Sequence, residues 1–189
     1  MNKKLLTVLM AGSLIAAVNT SVYAEDTGTV EFSGRIVADT CVIDVDGSGA
    51  NTSVVSFADA YPDNFGTDGS IGPTKDFQIS LAKCDPAVAN LNLMFSGDTT
   101  DGAKLRLKND LVDASAAQNV GITVTNNNGG TSDVIFDGSV PASTTDVANT
   151  GDEATPSIFK YTAKVIQIGD SKPTAGKYHA SANFTVFYR

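Results

Sequence analysis

Tryptophan is absent from this 189-residue chain, histidine occurs once and cysteine twice. These scarcities exclude much chemistry. A structural zinc site takes four Cys, His or carboxylate ligands in a close set. A thiol nucleophile needs a histidine beside it. Cys41, Cys84 and His179 are too few, and too scattered in sequence, to supply either. Basic residues are also sparse, 13 Lys and Arg against 21 Asp and Glu, which argues against nucleic acid or an anionic lipid surface as a partner. No stretch sustains a helical period of useful length, and no apolar run reaches the roughly 20 residues that span a bilayer.

The longest apolar stretch lies at the start. Lys3 and Lys4 precede 14 weakly apolar residues, Leu5 to Val18, and Val22-Tyr23-Ala24 places small residues at a cleavage site. This pattern predicts a secretory signal over residues 1–24 and a mature chain of 165 residues starting at Glu25. One domain fits that length. The mature part keeps 11 basic and 21 acidic residues, a net charge of −10, which suits the solubility of an exported surface protein. Export also sends Cys41 and Cys84 to an oxidising compartment, where they are expected to pair. Closing that loop contributes about 4 kcal/mol on the chain-entropy model.

Beyond residue 25 the chain consists of short runs of β-formers broken by Gly, Asn, Asp and Ser, so the expected class is all-β. Strands are predicted over Val30 to Val37, Cys41 to Val45, Ser53 to Ser56, Asp76 to Ala82 and Leu91 to Phe95. Further strands are predicted over Lys104 to Leu107, Val120 to Thr125, Asp133 to Phe136, Ile158 to Ile168 and Lys177 to Tyr188. Their spacing suits a sandwich. Asn126-Asn127-Asn128-Gly129-Gly130 reads as a hairpin connection, and Ala142 to Pro156 as a long polar surface loop.

Asp44-Val45-Asp46-Gly47-Ser48-Gly49 superficially resembles a calcium loop. Its twelfth position is Val55 where such a loop needs Glu, so it reads as a turn and no metal is expected. The remaining carboxylates fall mostly in turns, where Asp bonds its own backbone. His179 lies near the start of the last strand, opposite Phe184, Val186 and Tyr188, and reads as a solvated side chain. No phosphate loop, nucleophile elbow or His-Glu-x-x-His appears. Neither a catalytic residue nor a cofactor is expected, and the chain is read as a non-enzyme.

The two ends carry the most informative patterns. At the carboxyl end Ala180, Ala182, Phe184, Val186 and Tyr188 alternate on one face of a strand that must find cover. At the amino end Gly28, Val30, Phe32, Gly34 and Ile36 share one face, while Thr29, Glu31, Ser33 and Arg35 occupy the other. Gly28 to Ile36 would span ~26 Å at ordinary strand rise, the length of a sandwich groove. This arm either folds back as a first strand of its own domain or extends to complete another molecule. Glycines weaken a strand that holds itself and suit a close approach to another backbone.

A signal peptide, an alternating arm, Thr40-Cys41, a second cysteine at Cys84, Gly176 at the fourteenth place from the carboxyl end and penultimate Tyr188 occur together here. In that combination the chain resembles a subunit of chaperone-usher fimbriae, of the type 1 major pilin kind. The resemblance covers the whole mature chain. It implies an incomplete immunoglobulin-like β-sandwich that lacks its last strand and is completed by a donor strand. Residues 25–39 would then be the N-terminal donor-strand extension and residues 40–189 the pilin domain. Val30, Phe32 and Ile36 would fill pockets in the groove of a neighbouring pilin, with Gly28 as the small residue of the arm. A periplasmic chaperone would first lend a strand along Phe184, Val186 and Tyr188, and an outer-membrane usher would promote the exchange. The head-to-tail polymer would pass through the periplasm to the bacterial surface as a fimbrium supporting adhesion. The alternatives are a minor or tip-proximal subunit that binds a host receptor and, from another class, a secreted β-sandwich hydrolase.

Overall fold

A computed structural model describes residues 41–189; the signal sequence and the arm, including Gly28, Val30, Phe32, Gly34 and Ile36, lie outside these residues. Among the described residues nine strands are formed: β1 (Val42–Val45), β2 (Ile71–Ala82), β3 (Asn90–Gly97), β4 (Leu107–Lys108), β5 (Val120–Asn126), β6 (Ser132–Asp133), β7 (Val147–Ala148), β8 (Ser157–Gln167) and β9 (Ala182–Tyr188). One sheet runs β1-β2-β8-β5-β4 with β6 on β5, the other β7-β3-β9, and every pairing between strands is antiparallel.

Period-two patterning decides which sides meet. On β8, Phe159, Tyr161, Ala163 and Val165 are buried while Lys160, Thr162 and Lys164 face outward. Ile79 and Leu81 of β2 join them from the same sheet, and Leu91, Leu93 and Phe95 of β3 come from the other. Phe95 links the layers: its ring centroid lies 5.3 Å from that of Tyr161, edge to face, and 6.1 Å from that of Phe184. Phe77 stacks on Tyr161 at 5.4 Å. The Tyr161 hydroxyl is buried without a hydrogen-bond partner among the described residues, and desolvation pushes its pKa upward.

Cys41 and Cys84 form a disulfide and are both buried. Because Val42 is paired with Ala82, the bond staples the open end of the β1–β2 ladder. The Tyr188 hydroxyl lies 3.6 Å from the Cys41 sulfur, which brings the end of β9 to the same corner.

Several sequence expectations need correction. Residues 53–56 are not a strand: from 53 to 60 no backbone group bonds another described backbone group. The final strand starts at Ala182 rather than Lys177, since β3 ends at Gly97 opposite Ala182. Residues 177–179 instead bond the loop after β4, with Lys177 N–H donating to Ser115 O at 2.8 Å and Asp110 N–H to His179 O at 2.9 Å. β2 begins at Ile71, well before Asp76, because a register shift between Ile71 and Thr74 accommodates Pro73, which has no N–H to donate. Lys104 takes φ 57° in a turn, which moves β4 toward Lys108. β6 covers Ser132–Asp133 only, though Val134 N–H still reaches Val124 O at 2.8 Å. The polar loop after residue 142 contains β7, which pairs with Asn90 and Leu91.

The turns follow their chemistry. Asp44 accepts the Gly49 N–H at 2.9 Å, with Asp46, Gly47 and Gly49 at positive φ. The Asn-rich hairpin joins β5 to β6, and the Asn128 side chain accepts Lys160 N–H at 2.9 Å as a strand residue would.

Replacing both Cys41 and Cys84 by Ser is expected to lower unfolding stability by about 4 kcal/mol, the chain-entropy value for the 43-residue separation. Urea denaturation of wild type and variant, with and without reductant, checks this. The wild type should fall to the variant's midpoint when reduced.

Candidate functional site

β9 has β3 on one side and no ladder partner among the described residues on the other. Antiparallel pairs alternate between those that exchange both hydrogen bonds and those that exchange none. Arg189 and Asn90 exchange both, at 2.9 Å each, and the β3–β9 register continues unbroken from Leu91↔Tyr188 to Gly97↔Ala182. The bonded positions are therefore Phe187, Thr185 and Asn183. Phe184, Val186 and Tyr188 turn their N–H and C=O groups to the open edge. Main-chain groups so placed need water or another strand.

The side chains of the same three residues point across the sandwich. Phe184 and Val186 are half-buried against the main core, as is Ala180 just before the strand. Tyr188 is 40% exposed and reaches Cys41. Phe187, on the outer face, carries the Arg189 guanidinium 5.2 Å above its ring.

A second wall comes from residues 53–60. Val55 and Phe57 alternate inward onto the core that Phe184 and Val186 touch, while Val54 is 84% exposed. The pattern is that of a strand, and no ladder is made with any described residue. Sequence alone signalled the alternation at 53–56 without showing that the segment lacks a neighbour; Phe57 was missed. Val55 and Phe57 from this segment and Phe184 and Val186 from β9 thus lie on one apolar core, and at one pole the Phe57 and Tyr178 rings lie 6.2 Å apart. Burial, and then the nearby Asp59 carboxylate, push the Tyr178 phenol upward in pKa, so it stays neutral and donates or accepts as a hydroxyl.

That pole has a small core of its own: Phe65, Ala117, Val120 and Val165, with Phe57, Ala60 and Tyr178 packed on it. A cavity of about 50 Å³ lies here, bordered by Phe65, Val120, Gly176 and Tyr178. Gly176 sits against the loop after β4. A Cβ on it would lie 2.6 Å from both Ala117 N and Ser115 O. The position thus needs glycine for close approach of two backbones. His179 is exposed and pairs with Asp110 at 2.8 Å.

Among the described residues, two backbone rows without ladder partners, β9 on its outer edge and residues 53–60, thus flank one apolar surface, with the disulfide at one corner. A family model described as fimbrial protein matches residues 30–189. The chain belongs to the fimbrial protein family. This fimbrial subunit is 35% identical to a type-1 fimbrial protein subunit of Serratia marcescens over 99% of both chains. It is 34% identical to the minor fimbrial subunit HifD of Haemophilus influenzae, over 88% of this chain and 76% of HifD. Among solved structures, the P pilus rod subunit PapA matches with a TM-score of 0.58 at 23% identity, over 79% of this chain and 99% of PapA. The fold of the fimbrial subunit is accordingly the immunoglobulin-like sandwich of pilins.

Gly176→Ala is expected to cost the fimbrial subunit about 1–3 kcal/mol, the usual penalty of forced overpacking. Chemical denaturation measures the loss, and amide exchange at Lys177 and Ala117, the bonded pair beside the glycine, should rise more than exchange in β8.

Proposed function

We infer that this chain is a structural fimbrial subunit that polymerises by donating residues 25–39 into the cleft of the next copy. The observation that carries this reading is the open edge of β9, where Phe184, Val186 and Tyr188 present both backbone groups and apolar side chains. Addition of a strand to such an edge is an established mode of recognition, and chaperone–pilin pairing is one instance of it. The arm's alternation supplies the complementary face. Burying Val30, Phe32 and Ile36 yields roughly 1.5–3 kcal/mol each before costs, and a main-chain ladder adds to it. Gly28 and Gly34 let the donated backbone lie close to the walls.

Donor and acceptor occupy different parts of one chain, so the contact is head-to-tail and open, and it propagates into a fibre. In this reading residues 1–24 direct export and are removed, and residues 40–189 are the pilin domain. A periplasmic chaperone covers the cleft before an outer-membrane usher promotes exchange, and the fibre supports adhesion at the cell surface. The subunit acts by assembly and not by catalysis. The likeness to HifD supports a second reading, a minor subunit near the tip that contributes to receptor binding; both readings use the same arm and cleft.

Deleting residues 25–37 should abolish SDS-resistant ladders when chaperone-bound subunits are mixed, and Phe32→Asp should block fibre growth while chaperone binding persists. Ladders from the armless chain, or equal loss of both activities in Phe32→Asp, would contradict strand donation.

A further inference from the structure

Arg189 directly follows β9 and is held by more than its backbone. Its guanidinium donates through one nitrogen to both Asp146 carboxylate oxygens, at 2.9 and 2.8 Å, and through another to Pro141 O at 3.3 Å. The Asp146 side chain is only 9% exposed and that of Arg189 32%. Such a pair is screened less than one in open water. Asp146 also accepts a 2.7 Å hydrogen bond from the Asn92 amide.

Asn92 is fully buried in β3 and bonds on every side. Its amide nitrogen reaches Thr145 Oγ1 at 3.1 Å and Ala142 O at 3.4 Å, while its oxygen accepts the Leu93 N–H at 2.8 Å. Asp146 immediately precedes β7, the strand on the far side of β3. The cluster therefore ties both flanks of β3 together and grips β9 beside Tyr188, the residue that opens the row of free backbone groups. Among the described residues, this end of β9 is otherwise held by its one-sided ladder to β3, the packing of Val186 on the core, the Arg189 guanidinium over Phe187 and the 3.6 Å approach of Tyr188 to Cys41.

We propose that Arg189, through Asp146 and Asn92, is a positioning residue for strand acceptance: it holds the last turn of the β9 edge in the extended register that an incoming strand must find. The proposal rests on the strand-accepting reading of the cleft. Its physical basis is preorganisation, since an edge already fixed by a half-buried ion pair loses little freedom when a strand docks. Loss of the guanidinium leaves a nearly buried carboxylate with the Asn92 amide as its remaining partner, which favours movement of the loop at 141–146 toward water.

The test uses the full chain and four variants, Arg189→Ala, Asp146→Asn, the double variant combining these two, and Arg189→Lys, with a synthetic peptide of residues 25–37 as the incoming strand. Amide exchange at Phe187, a bonded β9 position, should accelerate about tenfold in Arg189→Ala, the factor for losing a charge-assisted hydrogen bond. Exchange at β8 should not change. Peptide capture should slow by a similar factor in Arg189→Ala and Asp146→Asn, with no further loss in the double variant. Arg189→Lys, which keeps the charge and loses the fork, should recover part of both. A role confined to global stability would move exchange at Phe187 and β8 equally and leave capture by the folded chain unaltered, and that result overturns the proposal. If the wild type fails to capture the peptide, strand acceptance itself fails, and exchange at Phe187 alone then decides whether the clamp orders β9.

Discussion

Among the described residues β9 pairs with β3 alone, and the backbone groups at its other edge are the constraint around which the rest of this sandwich is arranged. An antiparallel strand with one neighbour satisfies every second residue and offers the rest to solvent or to another chain. Here the unbonded set, Phe184, Val186 and Tyr188, is also the set whose side chains turn toward the core. A strand that enters therefore satisfies polar and apolar needs in one movement. Water can fill the first need and not the second, so the edge favours a partner with alternating apolar residues.

The rest of the sandwich keeps that edge ready. β8 and β2 carry the long central ladder, with Phe159 and Tyr161 packed in one core with Phe95, so the core under β9 is built by the described strands themselves. The disulfide staples β1 to β2 at the corner where Tyr188 arrives. At the opposite pole Gly176 allows the segment before β9 to bond the loop after β4. Fixed points thus stand at both ends of β9. Residues 53–60 lie against the core through Val55 and Phe57 without making a ladder to any described residue.

Alternation made most strands legible in the sequence: β5 and β8 read correctly to within a residue and β9 correctly at its end but not its start, because each carries a period of two, and the Asn-Gly hairpin read correctly because its turn chemistry is local. The all-β class and the membership of the family were legible for the same reason, together with the spacing of Cys41, Cys84, Gly176 and Tyr188. Residues 53–56 misled because alternation reports a face to bury and is silent on whether a hydrogen-bonding neighbour exists. Lys177 was placed in the last strand because nothing local marks where β3 ends. The Arg189–Asp146–Asn92 cluster was invisible, since its members are brought together by three separate strands and a loop. The reach of the arm is legible only as a pattern, through Gly28, Val30, Phe32, Gly34 and Ile36.

The most direct test of the central claim is solid-state NMR on fibres grown from a mixture of two subunit preparations. In one, Phe carries the label, and in the other, Val. Cross-peaks that exist only in the mixed fibre and join Phe32 of one molecule to Val186 of another are the predicted result, because a donated strand lies within about 5 Å of its neighbour in the ladder. Mixed fibres without intermolecular contact between the arm and β9 would contradict the account.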